Sequence, residues 1–338
     1  MENVLITGAS GFIGAHCIIQ LLESGYKVRG TVRNLSRVPA LTEMFARHTD
    51  KVNHLSFVQA DLLSDDGWEE AAAGCTYLMH VASPVPTTLP KHEDDIIVPA
   101  RDGTLRALQA GMAAGVKRVV LTSSIAAICY GHRDNSKTFT ESDWSIINRP
   151  DVMAYPKSKT IAEQAAWDLI KESKTDMELV TVNPGLVLGP ALEKDFGSSL
   201  EVVKKMMNGE LPGAPKIGWP IVDVRDVADM HLKAMVHPEA GGQRFICANE
   251  TMWMLDIAMV LQRHFPKYRK KVPKRTLPNW LIKISALFDP TVRSVISELD
   301  KPQYVSSQKA RDMLGWEPRL NKEAVRAAAE SLIRYGVV

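Results

Sequence analysis

Val4-Leu5-Ile6-Thr7-Gly8-Ala9-Ser10-Gly11-Phe12-Ile13-Gly14 is the stretch on which the fold turns. Val4-Leu5-Ile6 is a short apolar run without helical period, and an apolar-periodic stretch follows the glycines up to Glu23 and closes at Ser24-Gly25. That order is strand, glycine turn, helix. Gly8, Gly11 and Gly14 stand at GxxGxxG spacing. The first glycine allows a tight turn, the second lets a pyrophosphate approach the backbone, and the third lets the helix pack closely on the strand. The spacing differs by one residue from the commonest dinucleotide fingerprint, GxGxxG. Ser10, Phe12 and Ile13 complete the turn and count with the glycines as candidate cofactor contacts.

Outward from this unit the chain alternates strand and helix. Strands are expected over 26–32, 55–60, 77–82, 118–123 and 178–183, with helix-like stretches between them, and a further strand over 244–248. The pattern predicts a parallel sheet with helices on both faces, an α/β fold of the doubly wound Rossmann type. Past 185 the alternation becomes irregular, which predicts a smaller, mostly helical C-terminal lobe. A dinucleotide-binding domain is expected over 1–185 with returns near 219–248, and a substrate lobe over 186–218 and 249–338. Ligands of such sheets bind at the carboxyl ends of the strands, near the switch point, so the residues just past each strand carry the chemistry.

Tyr155-Pro156-Lys157-Ser158-Lys159 supplies a second motif. Two helix residues four apart share a face about one turn apart, so the Tyr155 hydroxyl and the Lys159 ammonium reach one small volume. Pro156 suits a first helical turn, where its missing N–H would be unpaired anyway, and so sets Tyr155 at the helix edge. A positive neighbour favours an ionised phenol, which predicts that Lys159 brings Tyr155 closer to working as a proton donor and acceptor at neutral pH.

The Thr7–Gly14 string and the YxxxK element together resemble the short-chain dehydrogenase/reductase superfamily, in particular its extended, epimerase/dehydratase-like branch. His80-Val81-Ala82-Ser83-Pro84 at the end of the fourth strand resembles the group of plant dihydroflavonol reductases, cinnamoyl-CoA reductases and fungal or bacterial aldehyde and ketone reductases. Asn183 to Pro190, Trp219 to Ala228 and Ser307 to Trp316 resemble later family segments, so the resemblance spans nearly the whole chain. It implies that Ser124, the second serine of Thr122-Ser123-Ser124, positions a substrate carbonyl beside Tyr155 and Lys159. It implies also that the backbone at Val81, Ala82 and Ser83 passes under the cofactor, that Pro184 and Gly185 face the nicotinamide amide, and that Asp61 and Leu62 meet the adenine. Asp61 has a plainer reading as a helix cap, and His80 reads as a satisfied core residue with no catalytic role.

Thr31-Val32-Arg33-Asn34 follows the second strand and contains no acid. An Asp or Glu there accepts from the ribose hydroxyls of NAD, whereas an Arg accommodates the 2'-phosphate of NADP. Arg33 is therefore either the NADP phosphate contact or a solvated strand-end residue, and Arg37 stands one turn further on. Ile125, Val152, Met153, Pro84 and Val85 are apolar neighbours of the proposed catalytic groups and suit a hydrophobic carbonyl compound, although they equally suit inward packing. Gly131 to Ala154 reads as a polar loop carrying Trp144, which either walls the cleft or runs over the surface.

The 338 residues are 45% apolar, and Lys and Arg exceed Asp and Glu by a net charge of +2, which is no footprint for nucleic acid or an anionic membrane. The early first strand predicts no signal peptide, and no apolar run reaches the ~18 residues that span a bilayer, so a cytoplasmic protein is expected. Cys17, Cys75, Cys129 and Cys247 are far apart and read as buried thiols, and no metal is assigned. Three functions compete. They are an NADPH-dependent reductase of a small-molecule aldehyde or ketone, a nucleotide-sugar epimerase or dehydratase on the same fold, and an inactive NADP sensor. The first is favoured, because Ile125-Ala126-Ala127 after Ser124 lacks the acid of a dehydratase and the turn at Arg33 lacks that of an NAD-retaining epimerase. The helices near Leu105 to Ala114 and Ile161 to Ile170 suit a monomer or a homodimer.

Overall fold

The computed structural model describes residues 1–84, 92–134, 136–293 and 295–338. Strands β1 (Asn3–Thr7), β2 (Lys27–Val32), β3 (Leu55–Gln59), β4 (Tyr77–His80) and β5 (Arg118–Thr122) alternate with helices α1 (Phe12–Glu23), α2 (Val38–Ala46), α3 (Trp68–Ala72) and α4 (Asp94–Ala113). After the short β6 (Thr138–Phe139) come α5 (Ala154–Glu172), β7 (Glu178–Pro184), β8 (Leu186–Leu188), α6 (Glu201–Asn208), β9 (Gly218–Asp223), α7 (Val224–Val236) and β10 (Arg244–Cys247). The chain closes with β11 (Thr251–Trp253), α8 (Met254–His264), α9 (Asn279–Ser285), α10 (Pro290–Arg293), β12 (Tyr304–Val305), α11 (Gln308–Leu314) and α12 (Asn321–Arg334).

Seven strands form one sheet in the order β10-β7-β5-β4-β1-β2-β3, every pair parallel. Alternation along β1 explains why both faces are covered. Val4 and Ile6 bury on one face among α1 and α7 residues such as Ile18, Leu21 and Val227, while Leu5 buries on the other with Trp68, Ala107, Leu108 and Ala166. The chain order reverses between β1 and β4, so the cleft at their carboxyl ends is the switch point at which such sheets bind ligands. This is the doubly wound Rossmann architecture.

A second core gathers Leu188, Val203, Met206, Ile221, Ile257, Leu261, Val325 and Leu332, packing α6, α8 and α12 over a three-stranded sheet, β11-β9-β8. Residues 219–223, at the start of the expected return near 219–248, form β9 and pair with β8 and β11 in this smaller sheet. The return begins with α7, which packs on α1, and is completed by β10. The loop from Gly131 to Ala154 is also less free than expected, since β6 within it pairs with β12 from the far end of the chain. Among the described residues no helix is long and apolar enough to cross a membrane, and no cluster of His, Cys, Asp and Glu is placed to hold a metal. All four cysteines are buried free thiols.

Candidate active site

The glycine turn sits against the end of β4. Gly8 has φ +73°, a conformation that side chains resist, and a Cβ on it would come within 3.1 Å of Ala82 Cα. A Cβ on Gly14 would lie 2.3 Å from the Gly8 carbonyl oxygen, so the third glycine is what lets α1 start so close to β1. Gly11 is the N-cap of α1 and makes no side-chain cap, which leaves the first-turn N–H groups of Phe12, Ile13 and Gly14 without a side-chain acceptor. A helix start of this kind, with its positive dipole end, fits a pyrophosphate.

Thr7 ties this turn to the next strand. Its Oγ1 accepts from the Val81 and Ala82 N–H groups, both at 3.0 Å, and so gives its own proton to His80 Nδ1 at 2.9 Å. His80 is therefore half satisfied rather than satisfied, because its buried Nε2 has no partner among the described residues. Burial, with the Lys159 charge adding to it, lowers its pKa to about 3, and the ring is neutral. Ser83 and Pro84 follow at intermediate exposure, and Val85 lies outside the described residues.

At the end of β2, Arg33 is exposed and its guanidinium makes no hydrogen bond or ion pair among the described residues. Arg37 is not free in the same way, since Asp195 at 3.0 Å and Glu193 at 3.3 Å hold it. Asp61 Oδ1 accepts from the Leu63 N–H at 3.0 Å and so shapes the turn after β3. Leu62 presses on α4 so closely that a Cβ on Gly103 would fall 2.8 Å from Leu62 Cβ.

Tyr155 and Lys159 lie in the first two turns of α5, which begins at Ala154 and places Pro156 third, among the residues whose N–H has no intrahelical acceptor. The two serines that end β5 separate by direction. Ser123 turns inward and donates to Glu163 at 2.5 Å, whereas Ser124 is hydrogen-bonded to Tyr155. Ser124 Oγ also accepts from the Ala126 N–H at 3.1 Å, capping a single 3-10 turn over Ile125–Ala127.

Tyr155 stands 48% exposed at the edge of α5; desolvation of its phenol pushes the pKa up and the Ser124 hydrogen bond pulls it down. Lys159 carries the larger consequence, because burial lowers it to about 8 while Glu163 works to raise it. Its ammonium makes no hydrogen bond among the described residues, which fits a group awaiting hydroxyl partners. Pro184 and Gly185 close this side, and a Cβ on Gly185 would meet the Pro220 carbonyl oxygen at 2.3 Å.

Among the apolar candidates Ile125 is corrected. It is 5% exposed and packs with Ile128, Cys129, Phe139, Ile246 and Ala248, because the cap at Ser124 turns the next side chain into the core. Val152 is 4% exposed and lies against Gly131. Trp144 does not stand free either, since the Arg244 guanidinium stacks on its ring at 3.8 Å. The sequence reading missed a polar group at the join of the lobes. Glu298 accepts from Trp219 Nε1 at 2.7 Å and from the Tyr130 hydroxyl at 3.3 Å, and burial raises both its pKa and that of Tyr130. Only Tyr130, six residues past Ser124, was near a motif that could have signalled it.

A parallel Rossmann sheet with a glycine turn on one side of its switch point, and a Tyr-Lys pair beside a strand-end serine on the other, is the arrangement of an extended short-chain dehydrogenase/reductase. The chain belongs to the NAD dependent epimerase/dehydratase family, whose profile matches residues 4–248. It is 35% identical to cinnamoyl-CoA reductase 1 of Petunia hybrida over 341 residues, covering 99% of this chain and 93% of that one. It is 29% identical to the NADPH-dependent methylglyoxal reductase of Saccharomyces cerevisiae, with 98% of each covered. The crystal structure of the yeast methylglyoxal/isovaleraldehyde reductase complexed with NADPH superposes with a TM-score of 0.83 at 28% identity, over 100% of both chains. These relatives are reductases, and this chain is of the same oxidoreductase family.

Proposed function

We propose that the protein is an NADPH-dependent reductase that converts an aldehyde or ketone to the alcohol. The observation that carries this is the convergence of Ser124, Tyr155 and Lys159 beside the switch point, with Ser124 hydrogen-bonded to Tyr155 and the ammonium free of hydrogen-bond partners among the described residues. The glycine turn, with Ser10, Phe12, Ile13 and the backbone of Val81, Ala82 and Ser83, holds the pyrophosphate and ribose. Arg33 meets the 2'-phosphate, Asp61 and Leu62 the adenine, and Pro184 and Gly185 the nicotinamide amide. NADPH, when bound, supplies the hydride.

The chain supplies the rest. Ser124 Oγ accepts from the Ala126 N–H at 3.1 Å and donates only a long 3.5 Å bond to the Pro184 carbonyl, which it exchanges for one to the substrate oxygen, drawing that oxygen towards Tyr155. Tyr155 gives its proton to that oxygen as negative charge develops there, a general acid held in position. Lys159, charged at neutral pH, binds the ribose hydroxyls and steadies the phenolate that Tyr155 becomes. Pro84, at intermediate exposure, bounds the apolar side of the substrate. Tyr155→Phe should lower turnover by ~100-fold or more, the usual scale for a positioned acid, while NADPH affinity stays near native. Lys159→Ala should damage both. Native turnover in Tyr155→Phe would show the assignment to be wrong.

A further inference from the structure

Glu163 stands one turn beyond Lys159 on α5, so Tyr155, Lys159 and Glu163 continue one helix face in steps of four. Its carboxylate is 0% exposed, yet it is not idle. Oε2 accepts from the Ser123 hydroxyl at 2.5 Å and from Asn183 Nδ2 at 2.8 Å. Oε1 accepts from Arg244 Nε at 2.6 Å, from the Thr181 hydroxyl at 3.1 Å and from the Trp167 indole N–H at 3.4 Å. These donors come from just past β5, from β7 and β10, and from α5 itself. Asn183 donates its other amide hydrogen to the Ser124 carbonyl at 3.1 Å. The carboxylate thus reaches Ser124 by two routes, through the neighbouring Ser123 and through Asn183.

A charge buried this deeply is costly unless paired and hydrogen-bonded, and here it is both. Arg244 balances it and then anchors the loop before α5, donating to the Glu141 and Asp143 carbonyls at 2.7 Å each. We propose that Glu163 is the positioning residue of this site, fixing Ser124 against Tyr155 across the β5–α5 gap and giving Lys159 its counter-charge, without touching substrate or cofactor. This rests on Ser124, Tyr155 and Lys159 being the reacting groups.

The surroundings of Lys159 make its counter-charge identifiable. From β4 it faces His80, which is neutral, and on α5 it faces Tyr155, which is protonated. On and around α4, which packs on α5, Glu93 pairs with Lys157, Arg101 with Asp102 and Arg106 with Asp65, while Asp94 and Asp95 lie in its first turn, Asp95 accepting from the His92 N–H. On β7, Glu178 at the far end is held by Arg118, and Arg244 on β10 lies beyond Glu163. Among the described residues, Glu163 is thus the carboxylate that supports the Lys159 charge against its burial.

The test is Glu163→Gln, which keeps the shape but removes the charge and sets amide hydrogens against the donors. In cofactor-free protein, acetic anhydride labelling of Lys159 across pH, read by mass spectrometry, should titrate near pH 8 in the native chain. The variant should titrate about one pH unit lower or more, the scale of a lost close counter-charge. Its kcat should fall about tenfold or more, while its NADPH affinity at pH 6, where Lys159 remains charged, should change less. A folded variant with the native labelling midpoint and native kcat would overturn the proposal. If Glu163→Gln does not fold, Ser123→Ala cuts one route alone and should lower kcat several-fold with the labelling midpoint unmoved, whereas undiminished kcat would count against it. The labelling result stands apart from turnover, so it separates failure of the Glu163 role from failure of the reductase reading, which Tyr155→Phe decides.

Discussion

Gly14→Ala isolates the geometry on which cofactor binding depends. The new Cβ would sit 2.3 Å from the Gly8 carbonyl oxygen and 3.1 Å from the Gly8 carbonyl carbon. Ordinary contact needs about 1 Å more than the first of these distances, so either the turn or the start of α1 must yield. Gly8 has little freedom to do so. Its N–H donates to Thr31 Oγ1 at 3.2 Å, its carbonyl accepts from the Gly11 N–H at 2.9 Å, and its Cα side lies against Ala82. The displacement therefore passes to the first-turn N–H groups of α1. Losing one charge-assisted hydrogen bond to phosphate costs about 1.5–3 kcal/mol, roughly tenfold to a hundredfold in affinity, and the overpacking itself costs about 1–3 kcal/mol of stability. NADPH fluorescence titration with a thermal melt measures both. Gly25→Ala is the control, since Gly25 has φ +86° and a methyl group there would have nothing within 4 Å, so it should lower Tm and leave NADPH affinity alone. Native NADPH affinity in Gly14→Ala would refute the cradle.

Two further outcomes follow from charge. Arg33→Ala should weaken NADPH binding roughly tenfold to a hundredfold and leave NADH nearly unchanged, because an exposed, unpaired guanidinium at the end of β2 gains only from a phosphate; native protein that binds NADH and NADPH equally would contradict this. Acid should destabilise the fold early. Burial lowers His16 and His231 to about 4 and His80 to about 3, so below pH 6.5 the unfolded chain takes up protons that the folded chain refuses. That contribution is complete above pH 6.5 and is lost as pH falls towards 4, so Tm should drop across this window, and a flat or rising Tm would count against three neutral buried rings.

The sheet was legible because its strands are apolar on both faces and its glycine turn has few alternatives. The YxxxK face was legible because its spacing is local. Ile125 was not, since only the Ser124 cap on the 3-10 turn decides that its side chain goes inward. The strand at 219–223 was not legible, since it forms only against partners elsewhere in the chain, Leu186 to Leu188 and Thr251 to Trp253. Glu163 showed one local sign, the four-residue step after Lys159. Its meaning comes from Ser123, Thr181, Asn183 and Arg244, which lie 18 to 81 residues away along the chain.

The reductase reading is tested most directly by what the purified protein consumes. Incubated with NADPH and an apolar aldehyde or ketone, it should oxidise one NADPH for each alcohol formed, with the loss followed at the nicotinamide absorbance band and the product by chromatography. Protein that instead retains tightly bound NAD, interconverts a UDP-sugar with no net change at that band, and leaves simple carbonyl compounds untouched would contradict it.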